Sequence, residues 1–393
     1  MTSLEITFWL SVAILFYCYV GYGVLLFFWN TLKQLVSPPS GDQDFELLPV
    51  TLIVAAFNEE AVLERKINNT REIDYPADLF QVIFITDGST DNSTDLVAQH
   101  DFITLLHQTR RQGKSAAIKR AMRFVRTPVV VFSDANCMLN SDCIKAIVRH
   151  YKNERVGGVA GEKKILVNGH TSAVGEAEGL YWKYESFMKQ QDSNFNSVVG
   201  AAGELFSIRT ELFQLPEDNV ILDDFAISMQ VCLDGYTIKY EPGAYALECP
   251  SASLWEEEKR KVRIASGAYQ SIEQLKHGLY VFKYPRLSFQ YFSRRLLRWV
   301  ASPVLIVLFF LTNISLVVHQ PGAIFNSLLF AQFIFYSLAI IGRIFFAVGW
   351  RLGILNIPFY FLFMNLCLVK GFFKYLQGRQ TVLWEKSMRE AIK

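Results

Sequence analysis

Asp134 and Asn136 place two hard oxygen donors two residues apart, directly after the apolar run "VVVFS" (129–133). In an extended segment, side chains two residues apart point to the same side of the chain. Mg²⁺ and Mn²⁺ prefer such oxygen ligands, and a diphosphate can complete their coordination. A capped turn explains the same spacing, so the residues alone leave a metal site and a turn equally open.

Two further pairs of residues have types suited to chemistry. Asp223 and Asp224 precede a predicted helix in "ILDDFAISMQV" (221–231). One carboxylate can cap that helix, which leaves the second as a candidate general base. Arg260 and Arg263 lie on one face of another predicted helix, where paired guanidiniums either bind a pyrophosphate or simply face solvent.

Two single residues complete the set of candidates. Asp87 precedes Gly88, so it either forms an Asx-turn or accepts hydrogen bonds from a nucleobase or ribose. Lys114, in "QGKS" (112–115), lies near a predicted helix start and either contacts phosphate or faces solvent. The full phosphate-loop pattern GxxxxGK(S/T) is absent, because Gln108 stands where its first glycine would be.

These residues belong to a stretch in which predicted strands and helices alternate. Apolar runs predict strands at 49–57, 80–86, 103–107 and 129–133, with helices between them. This alternation predicts an α/β fold with a doubly wound, mostly parallel sheet and helices on both faces. Ligands bind beyond the carboxyl ends of such strands. We therefore expect the polar residues after three of these strands to meet at one edge, namely Glu59, Asp87, Asp134 and Asn136.

Long uncharged stretches predict an integral membrane protein with one N-terminal segment and up to three C-terminal segments. They occupy residues 6–29, 300–318, 323–342 and 353–369, close to the ~20 residues that span a bilayer. A signal peptide is disfavoured, because no basic segment precedes the first stretch and no small-residue cleavage site follows it. Basic residues flanking the middle of the chain predict that this part is cytosolic. The equally basic tail conflicts with four full spans, so its side of the membrane stays open.

Composition argues against several other classes of protein. The near balance of 39 Lys and Arg with 37 Asp and Glu predicts no nucleic-acid partner. Six scattered cysteines without a CxxC pair predict neither a disulfide framework nor a zinc site. The sequence contains no HExxH motif, which argues against a metalloprotease, and no GxGxxG after the first strand, which argues against a dinucleotide-dependent oxidoreductase.

Taken together, the sequence resembles membrane-bound family 2 glycosyltransferases of the cellulose-synthase-like kind, the relatives of poly-N-acetylglucosamine, hyaluronan and cellulose synthases. The resemblance runs from about Pro49 to Ser271 and includes the flanking apolar segments. The matching pieces, in order, are "VAAFNEE", "ITDGSTDNS", "QGKSAAI", "FSDAN", "GLYWKYE", "LDDF" and "RKVRIASG". The resemblance implies a nucleotide-diphospho-sugar transferase fold of the GT-A type.

The resemblance also implies a role for each candidate residue. Asp224 matches the catalytic base, and Asp223 matches the acidic position before it. Asp134 and Asn136 match a metal motif, in which the amide replaces a second acid and should weaken metal binding. The matched donor- and nucleotide-binding positions are Phe57, Glu59, Asp87, Lys114, Arg260 and Arg263.

One matched segment departs from the family. "RKVRI" (260–264) corresponds to the Gln-x-x-Arg-Trp motif of processive synthases, but only Arg263 is kept. Arg260 replaces Gln, and Ile264 replaces the Trp that would help to hold the acceptor sugar, so processivity stays open. "RLLRW" (295–299) looks similar but adjoins a predicted membrane segment, and we do not assign it to this motif.

The implied function is inverting transfer of a sugar from a nucleotide diphosphate sugar, UDP-linked, to a growing polysaccharide or glycan, with Mg²⁺ or Mn²⁺ as cofactor. Non-processive transfer to a lipid-linked acceptor is the alternative, and an inactive sugar-nucleotide-binding membrane protein is the alternative from another class. The expected location is a bacterial inner (plasma) membrane, with the lipid bilayer as a partner and the catalytic domain in the cytosol.

The expected domain order has six parts. They are an N-terminal transmembrane segment (1–30), a linker (31–48), a cytosolic glycosyltransferase domain (49–280), an interfacial amphipathic segment (281–299), C-terminal transmembrane segments (300–371) and a basic tail (372–393).

Overall fold

The computed structural model describes residues 2–36, 45–166, 173–214, 220–347 and 356–378. Residues 37–44 of the predicted linker and most of the predicted basic tail (379–393) lie outside these residues.

A long apolar helix opens the described chain. α1 (Ser3–Phe16) continues through a π-helical turn, Tyr17–Gly21, into α2 (Tyr22–Val36). Its start is fixed by a capping box, in which the Thr2 hydroxyl accepts from the Glu5 backbone N–H and the Glu5 carboxylate accepts from the Thr2 backbone N–H. This exchange satisfies donors that a helix start otherwise leaves unpaired.

Strands and helices then alternate through the middle of the chain. In order they are β1 (Val50–Ala56), α3 (Glu60–Arg71), β2 (Phe80–Asp87), α4 (Ser93–Ala98), β3 (Thr104–Gln108), α5 (Lys114–Met122), β4 (Val129–Asp134), β5 (Cys137–Leu139), α6 (Cys143–Val148), β6 (Val156–Ile165), α7 (Ala173–Phe195), β7 (Leu205–Arg209), α8 (Asp223–Leu233), β8 (Thr237–Glu248) and α9 (Leu254–Gln274).

The strands form one eight-stranded sheet with the order β3-β2-β1-β4-β7-β6-β8-β5. β1 pairs in parallel with β2 and β4, β2 pairs in parallel with β3, and β6 pairs in parallel with β8. β7 runs antiparallel to β4 and β6, and β5 runs antiparallel to β8. The predicted mostly parallel α/β sheet is therefore confirmed.

β1 shows why the central strands read as unbroken apolar runs. All of its residues are buried, because helices cover both faces of a parallel sheet. Leu52 packs on one face with Leu63 of α3. Ile53 packs on the other face with Ile118 of α5. With both faces occupied, the carboxyl edge of the sheet is left for polar side chains.

The described part of the C-terminal third is mainly helical. α10 (Pro285–Tyr291), a π-helical segment (Phe292–Ala301) and α11 (Ser302–His319) form a continuous helix, followed by α12 (Ala323–Ala347) and α13 (Ile357–Leu376). The helical stretches long and apolar enough to cross a membrane are Ser3–Val36, Pro285–His319, Ala323–Phe346 and Ile357–Leu376. The chain is accordingly a membrane protein, and the predicted interfacial segment at 281–299 overlaps the start of the second stretch.

Buried ion pairs join these helices to α7. Arg294 lies 2.9 Å from Glu185 Oε2 and 2.8 Å from Asp192 Oδ2, and Arg298 Nη1 lies 2.5 Å from Glu185 Oε1. Burial favours the neutral acid, yet the arginines hold the pKa of Glu185 well below its usual range. Removing one partner of a buried ion pair is costly. These ion pairs therefore hold α7 against the helix that begins at Pro285.

Candidate active site

A cavity of about 300 Å³ opens at the carboxyl ends of β1 and β4. Because these strands are parallel neighbours, the polar residues that follow them lie side by side. The sequence-predicted residues that line the cavity are Phe57, Glu59, Lys114, Asp134, Asn136, Asp223, Asp224, Arg260 and Arg263. Among the predicted residues, Asp87 does not line it.

Lys114 and Asp134 form the ion pair at the centre of the cavity. Lys114 begins α5, and its Nζ donates to Asp134 Oδ1 at 2.5 Å. Burial alone would lower the pKa of Lys114, but the carboxylates of Asp134, Asp223 and Asp224 raise it above its usual value. The lysine is therefore a permanent cation facing three acids.

Gly203 shows how closely Lys114 approaches Asp224. A Cβ atom added at Gly203 would lie 3.0 Å from Lys114 Nζ and 3.2 Å from Asp224 Oδ2. The ammonium and the carboxylate thus face the same small space, and a glycine backbone forms its wall. A candidate base and a cation that face the same space can act on the nucleophile and on the leaving group of one displacement reaction.

Asp224 lies in the first turn of α8 together with Asp223. The N-cap position is Leu222, without a side-chain cap, and Asp224 Oδ1 accepts from the Phe225 backbone N–H at 2.8 Å. Burial and the neighbouring Asp223 raise the pKa of Asp224 to about 7, although Lys114 opposes the shift. A carboxyl group with this pKa is poised to exchange a proton at neutral pH.

Asn136 is oriented by a network of buried charges. Its Nδ2 donates to Glu248 Oε1 at 3.0 Å, which leaves the amide oxygen as its acceptor atom. Glu248 pairs with Lys163, and Lys163 also pairs with Glu204 at 2.5 Å. Fixed hydrogen-bond partners of this kind hold a ligating side chain in one orientation.

The donor set at Asp134 and Asn136 fits a divalent cation only when a ligand completes it. The two residues offer one carboxylate and one amide oxygen, both suited to Mg²⁺ or Mn²⁺. Within the described residues, no group of three or more His, Cys, Asp or Glu side chains could hold a metal by itself. Oxygens of a bound diphosphate would supply the missing ligands.

Arg260 and Arg263 are brought to the cavity but have different partners. Arg260 Nη2 donates to Glu178 Oε1 at 2.6 Å and to Glu257 Oε2 at 2.9 Å. Burial disfavours the charge of Arg263 and lowers the pKa of its guanidinium, although the acids at the centre of the cavity oppose the shift. Within the described residues, Arg263 has no carboxylate within ion-pair distance. The two arginines therefore do not form the paired clamp that their spacing suggested.

Asp87 supports the loop that leads into α5. Its Oδ2 accepts from the backbone N–H groups of Gln112 and Gly113 at 2.9 and 2.7 Å. Gly113 has φ +99°, a left-handed conformation that glycine adopts readily, and it is the N-cap of α5. The position of Lys114 thus depends on Asp87. Asp87 Oδ1 has no hydrogen-bond partner within the described chain and lies 3.7 Å from Arg120 Nη1.

Lys66 is a supporting residue that the sequence reasoning missed. It is fully buried, and its Nζ donates to Ser133 Oγ at 2.9 Å and to the Cys137 carbonyl oxygen at 2.6 Å. These partners flank the Asp134–Asn136 segment on both sides. Burial lowers the pKa of Lys66 to about 8. A signal was present in the sequence, because Lys66 falls within the apolar stripe of α3.

Two tryptophans from distant segments also reach the cavity. Neither of them was assigned to the site from the sequence. Trp182 of α7 and Trp299 of the π-helical segment line it beside Ile264. Trp182 Nε1 is buried without a hydrogen-bond partner in the described part of the chain. The Trp299 ring lies 5.6 Å from the ring of Phe225, which follows Asp224. Two indoles therefore stand near the position where the family motif would place its Trp.

Lys189 of α7 is a further cavity residue without a sequence signal. It is 4 % exposed and lines the cavity. Burial lowers the pKa of Lys189 to about 8, although Glu204 and Glu185 oppose the shift. This lysine was not singled out from the sequence.

Comparisons with known proteins agree with this geometry. Residues 51–214 match the family model for glycosyl transferase family 2. The poly-beta-1,6-N-acetyl-D-glucosamine synthase of Staphylococcus aureus (strain COL) is 24% identical over 234 residues, which cover 57% of this chain and 56% of the relative. The synthase of the same name from Staphylococcus epidermidis is 23% identical over 261 residues, 61% of each chain. The matches therefore span less than two thirds of these curated relatives.

A solved structure shares the fold over nearly the whole chain. It is a mannosyltransferase from Pyrobaculum calidifontis in complex with GDP-Man and Mn²⁺, with a TM-score of 0.69 and 20% sequence identity. The match covers 96% of this chain and 100% of that one. Residues 51–214 of the chain thus match glycosyl transferase family 2, and the structure combines this stretch with helices long and apolar enough to cross a membrane.

Proposed function

We propose that this protein is an inverting glycosyltransferase that moves a sugar from a nucleotide diphosphate sugar, UDP-linked, to a growing polysaccharide or glycan. The observation that carries the proposal is the meeting of Lys114 and Asp224 in front of Gly203, with Asp134 on the other side of the lysine. A base and a cation so placed match the two charges that develop during glycosyl transfer.

Asp224 is the proposed general base. Its carboxylate takes the proton of an acceptor hydroxyl, and the acceptor oxygen forms a bond to the anomeric carbon as the bond from that carbon to the diphosphate oxygen breaks. A single displacement from the face opposite the leaving group inverts the anomeric configuration. The pKa of Asp224, raised by burial and Asp223 to about 7, suits this role near neutral pH.

Lys114 and Arg263 are proposed to stabilise the leaving diphosphate. Both are cations that line the cavity, and preorganised positive charge is most effective where negative charge develops. Asp134 and Asn136 would hold the Mg²⁺ or Mn²⁺ ion, which neutralises part of the diphosphate charge when bound. Lys66 holds the segment that carries Asp134 and Asn136 in place through its hydrogen bonds to Ser133 and Cys137.

The nucleotide is proposed to bind at Phe57 and Glu59, with Asp87 holding the adjoining loop. Phe57 and Glu59 line the cavity at the end of β1. UDP as the nucleotide rests on the resemblance to polysaccharide synthases, whereas the solved neighbour was in complex with GDP-Man. Both nucleotides therefore belong in the test.

The catalytic domain is proposed to face the cytosol at a bacterial plasma membrane. Lys33 lies in the last turn of the first apolar helix, and Arg294, Arg295 and Arg298 precede the apolar part of the second. Positive residues of this kind favour the cytosolic side. The curated relatives from Staphylococcus agree with a bacterial membrane.

The test uses the full chain in lipid nanodiscs with a panel of UDP- and GDP-sugars. Release of nucleoside diphosphate and the size of the product are measured for the wild type and for Asp224→Asn. We expect release coupled to transfer in the wild type, and a loss of about 10²–10⁴-fold in rate with intact nucleotide binding in the variant. Nucleotide binding without any turnover in the wild type would favour the alternative of an inactive sugar-nucleotide-binding membrane protein.

A further inference from the structure

A second cavity of about 380 Å³ adjoins the candidate active site on the side of the membrane helices. Its wall comes from α7, α9 and three of the candidate membrane spans, and it is mainly apolar and aromatic. The lining includes Tyr19, Ala177, Leu180, Ala268, Phe361 and Met364. This cavity therefore lies between the sheet domain and helices long and apolar enough to cross a membrane.

The two cavities share part of their lining. Tyr181, Lys261, Ile264, Arg295 and Trp299 belong to both walls. Asp224 lines the first cavity only, and Met364 of α13 lines the second only. A molecule that fills the second cavity can therefore present its end to the side of the first cavity that faces away from the sheet.

The junction between the cavities carries two cations. Lys261 is 5 % exposed, lies 4.5 Å from the Tyr181 ring centroid, and has Glu257 Oε1 at 3.5 Å as its ion-pair partner. Arg295 donates from Nε and Nη2 to the Val199 carbonyl oxygen at 3.0 and 2.7 Å. Within the described residues, Arg295 has no carboxylate within ion-pair distance. A bound anion would therefore find an unpaired guanidinium at this junction.

The nearby carboxylates are already engaged. Glu257 accepts from Arg260, Ser251 and Tyr360, and Glu185 is held by Arg294 and Arg298. Neither acid forms an ion pair with Arg295, so its guanidinium remains available to a bound anion.

Most polar side chains in the wall of the second cavity already have partners; the exception is Asn356, whose two amide atoms are unpaired within the described residues. Tyr360 donates to Glu257 Oε1 at 3.0 Å, and Asn365 Oδ1 accepts from Ser302 at 2.8 Å. A polysaccharide would leave many hydroxyls unpaired against such a wall, and each buried unpaired group is costly. A hydrocarbon chain has no such requirement.

We infer that the acceptor is a glycan carried on a lipid phosphate, bound with its apolar chain in the second cavity and its phosphate between Lys261 and Arg295. The sugar end then extends past Trp299 toward Asp224. This inference rests on the proposed function and names the acceptor class of the same site. The charge and the apolar wall together select a lipid that carries a phosphate, and three candidate membrane spans lead to the cavity from the bilayer.

The first test needs no variant. Binding of farnesyl phosphate and of farnesol, which share one apolar chain, is measured on the full chain in phosphatidylcholine nanodiscs. We expect farnesyl phosphate to bind about tenfold more tightly than farnesol, because one charge-assisted contact contributes a factor of this size. Equal affinity for both probes overturns the inference. Equal competition by phosphatidylglycerol also overturns it, because the cavity would then hold an ordinary membrane lipid.

The second test uses matched variants of α13 and α9. Met364→Trp fills the cavity and should abolish farnesyl phosphate binding, whereas Leu366→Trp, at a position that is 51% exposed on the same helix, should leave it unchanged. Lys261→Gln should weaken binding of farnesyl phosphate about tenfold and leave farnesol affinity unchanged. Wild-type affinity for farnesyl phosphate in Met364→Trp contradicts the assignment.

The outcomes separate this inference from the proposed function. Binding of farnesyl phosphate without any turnover of the donor contradicts the proposed glycosyl transfer but supports the lipid phosphate site in the second cavity. Efficient transfer to a soluble oligosaccharide, with no binding of farnesyl phosphate, supports the proposed function and overturns the lipid-linked acceptor.

Discussion

Arg260 Nη2 donates to Glu178 Oε1 at 2.6 Å, which ties α9 to α7 across 82 positions of sequence. Glu178 and Glu257 are both buried, and the guanidinium forms an ion pair with each of them, while Lys261 is a second cation beside Glu257. Arg263, one turn further along α9, faces the acids of the cavity. Two arginines that look equivalent in the sequence therefore have different environments, and this difference can be measured.

Arg263→Ala should weaken binding of the nucleotide diphosphate sugar about ten- to a hundredfold, because a charge-assisted contact is lost. Arg260→Ala should act on stability, since it leaves the buried Glu178 without its ion-pair partner and Glu257 with Lys261 alone, at a cost of about 3–5 kcal/mol. Donor affinity by titration and the melting temperature in detergent separate the two effects. Unchanged donor affinity in Arg263→Ala would show that this arginine does not contact the diphosphate.

The rate of transfer should fall as the pH drops below about 7. Asp224 acts as a base only when deprotonated, and burial together with Asp223 raises the pKa of its carboxyl group to about 7. Asp223→Asn removes a neighbouring negative charge, so the pKa of Asp224 falls and the acid limb moves to lower pH. The check is a pH–rate profile of both proteins at saturating donor, and an acid limb that does not move argues against the coupling.

Asn136→Asp should make stability depend on metal. The amide now donates to Glu248 Oε1 at 3.0 Å, so a carboxylate at this position would face a second carboxylate and lower the melting temperature in the presence of a chelator. Bound Mn²⁺ offsets the added charge, so it should raise the melting temperature of the variant more than that of the wild type. Equal shifts in both proteins would place the metal elsewhere.

Lys66→Met should impair donor binding at low metal concentration. The variant keeps the apolar stem but leaves the Cys137 carbonyl oxygen without its donor, which costs about 1–3 kcal/mol, and it frees the segment that carries Asp134 and Asn136. We expect a higher metal concentration for half-maximal donor binding. Lys145→Met is the control, because Lys145 pairs with Asp74 at the surface and such pairs contribute little. A metal requirement that stays constant in Lys66→Met would limit this lysine to a structural role.

The sequence alone predicted strands β1 to β4 of the sheet and the edge at which their polar residues gather, whereas β5 to β8 were not predicted. Strands such as β1 are apolar throughout because both faces are covered, and this pattern is local enough to recognise. Once the strands are parallel and adjacent, the residues after β1 and β4 must lie together, as Glu59 and Asp134 do. The long uncharged stretches likewise predicted the helices able to cross a membrane, because length and composition alone decide that property.

Only the tertiary structure decided which of these residues share a partner. Arg260 meets Glu178 because α7 packs against α9, and Trp299 reaches the cavity because buried ion pairs fix its helix on α7. The second cavity likewise exists only where α13 meets α9 and α7. Such contacts join segments that are tens of residues apart, and they depend on how whole helices dock. The spacing of residues within one segment does not predict how two helices dock, because docking depends on the shapes and charges of both helix surfaces.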